Sequence, residues 1–93
     1  MSRVYAEQID VWISAGKPAR FVWRGRHYTV LRVCEHWVVS REWWKKRGED
    51  PGEPADREFW RVEASPGRGV SIATYELRRD DATGTWLLVR VWD

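Results

Sequence analysis

The chain predicts a mainly β fold: one antiparallel domain of about six strands, closed as a strongly bent sheet or a small barrel. Three observations carry this. Apolar and polar residues alternate in run after run, the period of a half-buried strand. β-Branched and aromatic residues concentrate in those runs. Gly, Pro and Asp cluster between them at turn-like intervals. With 93 residues, 43% hydrophobic and 32% charged, the chain makes a single domain, 1–93, with a modest core. A barrel or bent sheet leaves few free strand edges.

Each element is argued from its residues. Ile9, Val11 and Ile13 alternate with Gln8, Asp10 and Trp12 in a first strand, which SAGKP ends at Gly16 and Pro18. In RFVWRGRHYTVLRV, residues 20–33, Phe21 and Trp23 share one face and Val22 takes the other. Arg24-Gly25 falls where a tight hairpin turn belongs. A long third strand runs from Arg26 to about Val38. SREWWKKR predicts one short helix near 40–47, with Ser40 as N-cap and basic residues at its C-terminal end. The acidic, Gly- and Pro-rich GEDPGEPAD, 48–56, reads as a loop. REFWRVEA, 57–64, is a strand with Trp60, Val62 and Ala64 on one face. A strand over 70–79 places Ala73, Tyr75 and Leu77 together. DDATG closes a type I hairpin at Gly84, and TWLLVRVWD is the last strand.

Strict alternation sorts these strands into two faces. The apolar one collects Ile9, Val11, Ile13, Leu31, Val33, Trp60, Val62, Tyr75, Leu77, Leu87, Val89 and Val91, a sufficient core. The other collects Arg26, Tyr28, Arg32, Phe59, Arg61, Arg78, Trp86, Arg90 and Trp92. Sheet-based single-strand binders have this composition: flat rings accept bases and guanidinium groups hold the backbone. Glu63 and Glu76 on the same side weaken an anion site. Two structural explanations stay open beside the functional one. Arg and aromatic side chains pair across strands for their own sake, and the 40–56 segment, with Trp43 and Trp44, can cover the face as a second core.

Composition and motifs narrow the chemistry. The net charge of +2 makes no general case for nucleic acid, but thirteen of the sixteen basic residues are Arg. Arg stacks on rings and grips phosphate with two donors, whereas Lys does neither well; GC-rich coding produces the same bias. Cys34 is alone, which excludes an intramolecular disulfide and fits a reducing compartment. No signal-like or membrane-spanning apolar run occurs, so a soluble cytoplasmic protein without membrane contact is expected. His27, His36 and Cys34 are too few and too divergent for structural zinc, and no metal or cofactor is expected. The acid pairs Asp80-Asp81 and Glu49-Asp50 sit in turn or loop sequence, and no nucleophile stands beside a base, so no enzyme is expected. QIDVW, 8–12, resembles the peptide by which repair polymerases bind the sliding clamp, but the same residues make a good first strand.

The order of landmarks is itself informative: PARFVWRGRHYTV, a WW pair, REFWRVEA, then YELRRDDATGTWLLVRVWD, with an unusual spacing of Trp23, Trp43, Trp44, Trp60 and Trp86. Over residues 7–93 this resembles a family of small bacterial domains of unknown function, common in high-GC Gram-positive bacteria. A related domain ends the inactive Y-family polymerase of the damage-inducible mutagenesis cassette. The resemblance brings no catalytic residues and implies an accessory role near DNA repair or translesion synthesis. The expectation is a non-catalytic module binding single-stranded DNA or RNA through the Arg/aromatic face, within a repair-polymerase or sliding-clamp assembly. The alternative is a protein-interaction module anchored by Trp43 and Trp44, without nucleic-acid contact.

Overall fold

In the computed structural model the described residues are 2–39, 57–67, 71–80 and 83–92. They form six antiparallel strands: β1 (Ser2–Ser14), β2 (Lys17–Trp23), β3 (Arg26–Val39), β4 (Arg57–Ser65), β5 (Ala73–Asp80) and β6 (Thr85–Trp92). Each pairs with the next in sequence, and β6 pairs back onto β1, so the sheet is a closed barrel. The expected short helix at 40–47 lies outside the described residues. Among the described residues, no helix is long and apolar enough to cross a membrane.

The turns are set by local chemistry. Ala15-Gly16 and Arg24-Gly25 each place two successive residues at positive φ (53° and 80°, 54° and 76°). This is the type I′ geometry, whose twist matches that of the flanking strands. At the β5–β6 hairpin, Asp80 O accepts from Thr83 N at 3.3 Å and Gly84 N at 2.7 Å, with Gly84 at φ 71°. Gly25 and Gly84 are therefore the hairpin glycines the sequence predicts.

The core lies inside the barrel and comprises Ile9, Phe21, Trp23, Tyr28, Trp60, Val62, Ala64, Tyr75, Leu77, Leu88 and Val91. It is strongly aromatic. Phe21 stacks on Tyr28 (centroids 4.9 Å apart, 6° between planes), and Tyr75 meets Phe21, Trp23 and Tyr28 at 5.3–6.5 Å. Such pairs add about 0.5–1.5 kcal/mol each to the burial of their area.

Half of the expected core is in place: Ile9, Trp60, Val62, Tyr75, Leu77 and Val91 are buried, and Val11 and Val33 pack against them. The remainder is corrected by bulges, each of which adds an unopposed residue and reverses the facing of the strand beyond it. On β3 the pairing jumps from Val30↔Ala64 to Arg32↔Glu63, and from Val33↔Val62 to Glu35↔Arg61. Leu31 and Cys34 are the unopposed residues, and Leu31 is 53% exposed. On β6 the pairing jumps from Arg90↔Glu76 to Leu88↔Leu77, leaving Val89 unopposed. Leu88 is therefore buried, while Leu87 and Val89 are only half-buried. Ile13, at the barrel rim beside the Ala15-Gly16 turn, is 50% exposed.

These assignments give opposite expectations for adjacent leucines. Leu88→Ala should cost about 2–5 kcal/mol, the usual cost of emptying a buried leucine site, and Leu87→Ala less than half of that, as read by denaturant unfolding. Trp60→Ala should cost about 3–5 kcal/mol. Among the described residues the enclosed Trp60 indole nitrogen has no acceptor, so Trp60→Phe, which removes that donor, should cost much less.

Candidate binding surface

Cross-strand partners share a face, so the register assembles the outside of the barrel row by row. One row runs Trp37↔Phe59↔Arg78↔Leu87↔Gln8. The next runs Glu35↔Arg61↔Glu76↔Arg90↔Val4, and the one beyond it contains Arg32↔Glu63↔Thr74↔Trp92. Arg61 is the hub. Its guanidinium lies 4.7 Å from the Trp92 ring centroid and 5.4 Å from that of Trp37. Trp37 in turn stacks on Phe59, with centroids 5.3 Å apart and planes 3° from parallel. Arg90 also covers Trp92, at 5.4 Å. A continuous band of flat groups thus crosses β3 to β6.

The band is close to electroneutral. Arg61 pairs with Glu35 at 2.7 Å and Glu76 at 3.4 Å, Arg32 with Glu63 at 3.2 Å, and Arg78 with Asp80 at 3.0 Å. Arg57 lies 3.9 Å from Asp80. Glu63 holds the Arg32 guanidinium above the ordinary arginine pKa, chiefly by hydrogen bonding. Arg90 has no carboxylate within ion-pair reach among the described residues.

Of the nine residues predicted for this face, Arg32, Phe59, Arg61, Arg78, Arg90 and Trp92 are brought together. Tyr28 is corrected into the core at 6% exposure, because it lies opposite Phe21. Trp86 is also corrected: it pairs with Ile9 and packs against the core from inside. Arg26 shares a face with Trp23 at the hairpin end, away from the band. Trp37 belongs to the band and was missed. The β3 bulge at Cys34 moves it to the outward side, and strict alternation carries no trace of that bulge. Trp43 and Trp44 lie outside the described residues. The QIDVW segment is held within β1: Gln8 and Ile9 pair with β6, and Asp10, Val11 and Trp12 pair with β2.

Two further arginine–aromatic groups stand apart from the band. On the outside of β1–β3, Arg20 covers Trp12 at 5.0 Å and Trp12 stacks with His27 at 6.4 Å. At the barrel end that carries the β2–β3 hairpin, Arg24 lies over Trp23 at 4.9 Å and Tyr5 at 5.2 Å. Glu7 fixes this second group. It accepts from Arg24 Nε and Nη2 at 2.9 and 2.7 Å and from Trp23 Nε1 at 2.8 Å.

The molecule is therefore a small closed antiparallel β-barrel that displays arginine–aromatic groups on its outer surface and at one mouth. Over residues 1–93 the chain matches the family described as domain of unknown function DUF6504, and it belongs to that family. No curated protein and no solved structure matches it.

The Glu7 cluster has a pH signature. Hydrogen bonds from Arg24, and then from Trp23, hold the Glu7 carboxyl below the usual carboxylate range. A carboxyl depressed on folding stabilises the fold above its unfolded pKa, and the contribution disappears as pH falls through the folded value. Glu7→Gln should therefore lower the melting temperature at neutral pH, and the difference from wild type should shrink as acid protonates Glu7 in both states. A difference that persists unchanged into strong acid contradicts the assignment.

Proposed function

We propose that this domain is a non-catalytic binding module that takes single-stranded nucleic acid across the outer β3–β6 band, as an accessory factor in DNA repair or translesion synthesis. The single observation behind this is the band itself: the parallel Trp37–Phe59 pair, linked through Arg61 to Trp92 and Arg90. Rings on a sheet surface accept bases of any sequence, because every base has a π-face. The repair setting rests on the resemblance to the domain that ends the inactive Y-family polymerase of the mutagenesis cassette.

The matched carboxylates shape this activity. Arg32, Arg61 and Arg78 already have anionic partners, so only Arg90 reaches a phosphate without displacing one. Binding is then weak, dominated by stacking, and shallow in its salt dependence. The same neutrality favours a second reading, a protein partner docked on the band without nucleic acid.

Fluorescence titration of the domain with a short oligothymidylate at low salt tests the reading. Binding is expected with tryptophan quenching. The slope of log K against log salt should be about −0.7 to −1.4, one or two phosphates on a single strand. Trp37→Ala should weaken binding by about 1–3 kcal/mol with little change in slope, and Arg90→Ala should flatten the slope. No binding at high micromolar protein removes nucleic acid and leaves the protein-interaction reading.

A further inference from the structure

The barrel end that carries the β2–β3 hairpin opens into a cavity of about 460 Å³. Its walls include the Tyr5, Trp23 and Tyr75 rings, and Arg3 and Arg24 also line it. This volume lies within the usual range for small-molecule sites, and the mouths of β-barrels are recurrent places for them. We propose that this mouth is a binding site for a nucleoside monophosphate, a planar heteroaromatic ring carrying an anionic group.

The lining divides the recognition. The three rings form a clustered aromatic wall: Tyr5 meets Trp23 edge-on at 5.1 Å, and Trp23 meets Tyr75 at 6.5 Å. A planar heterocycle gains stacking or edge contact from such a wall. Arg24 is held in place by the two-pronged contact with Glu7 and by the faces of Tyr5 and Trp23. Glu7 occupies Nε and Nη2, which leaves Nη1 as a donor. Arg3 has no carboxylate partner among the described residues and supplies the charge that Glu7 does not offset. An anionic group is therefore met by one uncompensated guanidinium and one preorganised one. Arginine matches a phosphate with two parallel donors.

The backbone points to the same place. Among the described residues, three other than glycine have positive φ: Ala15, Arg24 and Ser71. Arg24 (54°) and Ser71 (47°) both line this cavity. The type I′ turn already sets the conformation of Arg24; at Ser71 the left-handed conformation is unfavourable, and such outliers gather at ligand sites, where the surrounding structure holds them. For the first turn position at Arg24, asparagine is the residue that type I′ geometry favours. The turn by itself therefore does not call for arginine.

The test is calorimetric titration of the full chain with adenosine 5′-monophosphate, beside adenosine and inorganic phosphate. The monophosphate is expected to bind at least about tenfold more tightly than either half, since a charge-assisted pair is lost in one and the ring in the other. Arg3→Ala, at an exposed rim position, should weaken binding about tenfold or more. Arg24→Asn should weaken it similarly. Asparagine suits the turn position, so the variant should stay folded with an unchanged circular dichroism spectrum, its melting temperature lowered no further than that of Glu7→Gln. Glu7→Gln, which leaves the Arg24 guanidinium in place, should retain binding, which separates a lost ligand contact from a lost fold. Arg61→Ala, on the outer band, should leave it unchanged, so this site and the strand-binding band can fail separately. A 5′-phosphorylated oligothymidylate competing for the cavity where its 5′-hydroxyl counterpart does not identifies a strand end as the source. Competition by neither identifies a free nucleotide. Absence of binding at millimolar monophosphate, or binding indifferent to both Arg3→Ala and Arg24→Asn, overturns the proposal.

Discussion

Six strands close on one another only if the sheet turns sharply, and bulges are the means of turning it. Here they sit at Ala19 on β2, at Leu31 and Cys34 on β3, and at Val89 on β6 where β6 meets β5. The closing β1–β6 seam carries a matching irregularity, with the pairing passing from Val4↔Arg90 to Glu7↔Leu88. Each bulge bends its strand and also exchanges inside for outside beyond it. The curvature that makes a barrel possible therefore also decides which side chains form the core and which face outward.

That exchange organises the aromatic residues. Phe21, Trp23, Tyr28, Trp60 and Tyr75 fill the interior, where large rings occupy the narrow space of a small barrel with few residues. Trp37, Phe59 and Trp92 lie outside and are covered by arginine or by one another. A covered exterior ring buries apolar area without an interior site, and the Arg61 guanidinium over two of them is paired with Glu35 and Glu76. The outside thus remains compatible with water while displaying flat surfaces.

Charge is distributed with similar economy. The band over β3–β6 alternates arginine with carboxylate along and across its strands, which holds long side chains in place but cancels most of the long-range field. Exposed pairs of this kind contribute little to stability, typically about 0–1 kcal/mol each. Their larger effect is to orient Arg61 between two tryptophans. At the hairpin mouth, Glu7 performs the same service for Arg24, and Arg3 remains without a matching acid among the described residues. The two places consequently differ in kind: the band presents rings among compensated charges, and the mouth presents rings beside a guanidinium without a matching acid among the described residues.

The sequence by itself determined the class, the number of strands and the two glycine turns. Period-two alternation and turn chemistry are local properties, written within a few residues of where they act. It also determined the face of β4, where Trp60, Val62 and Ala64 point inward as alternation requires, because that strand carries no bulge among its described residues. Most of the arginine–aromatic band was legible for the same reason, Phe59 and Arg61 on β4 above all. The facing of Tyr28 follows from the Arg24-Gly25 turn, which sets it opposite Phe21. Only the tertiary structure decided the facing of Trp37, Trp86 and Leu88. Their orientation depends on where strands skip a residue, and a skip is set by the geometry of closing six strands into a ring, not by the residues that flank it. The Glu7–Trp23–Arg24 cluster was equally hidden, since the antiparallel β1–β2 pairing brings together residues sixteen and seventeen positions apart whose identities suggest no pairing.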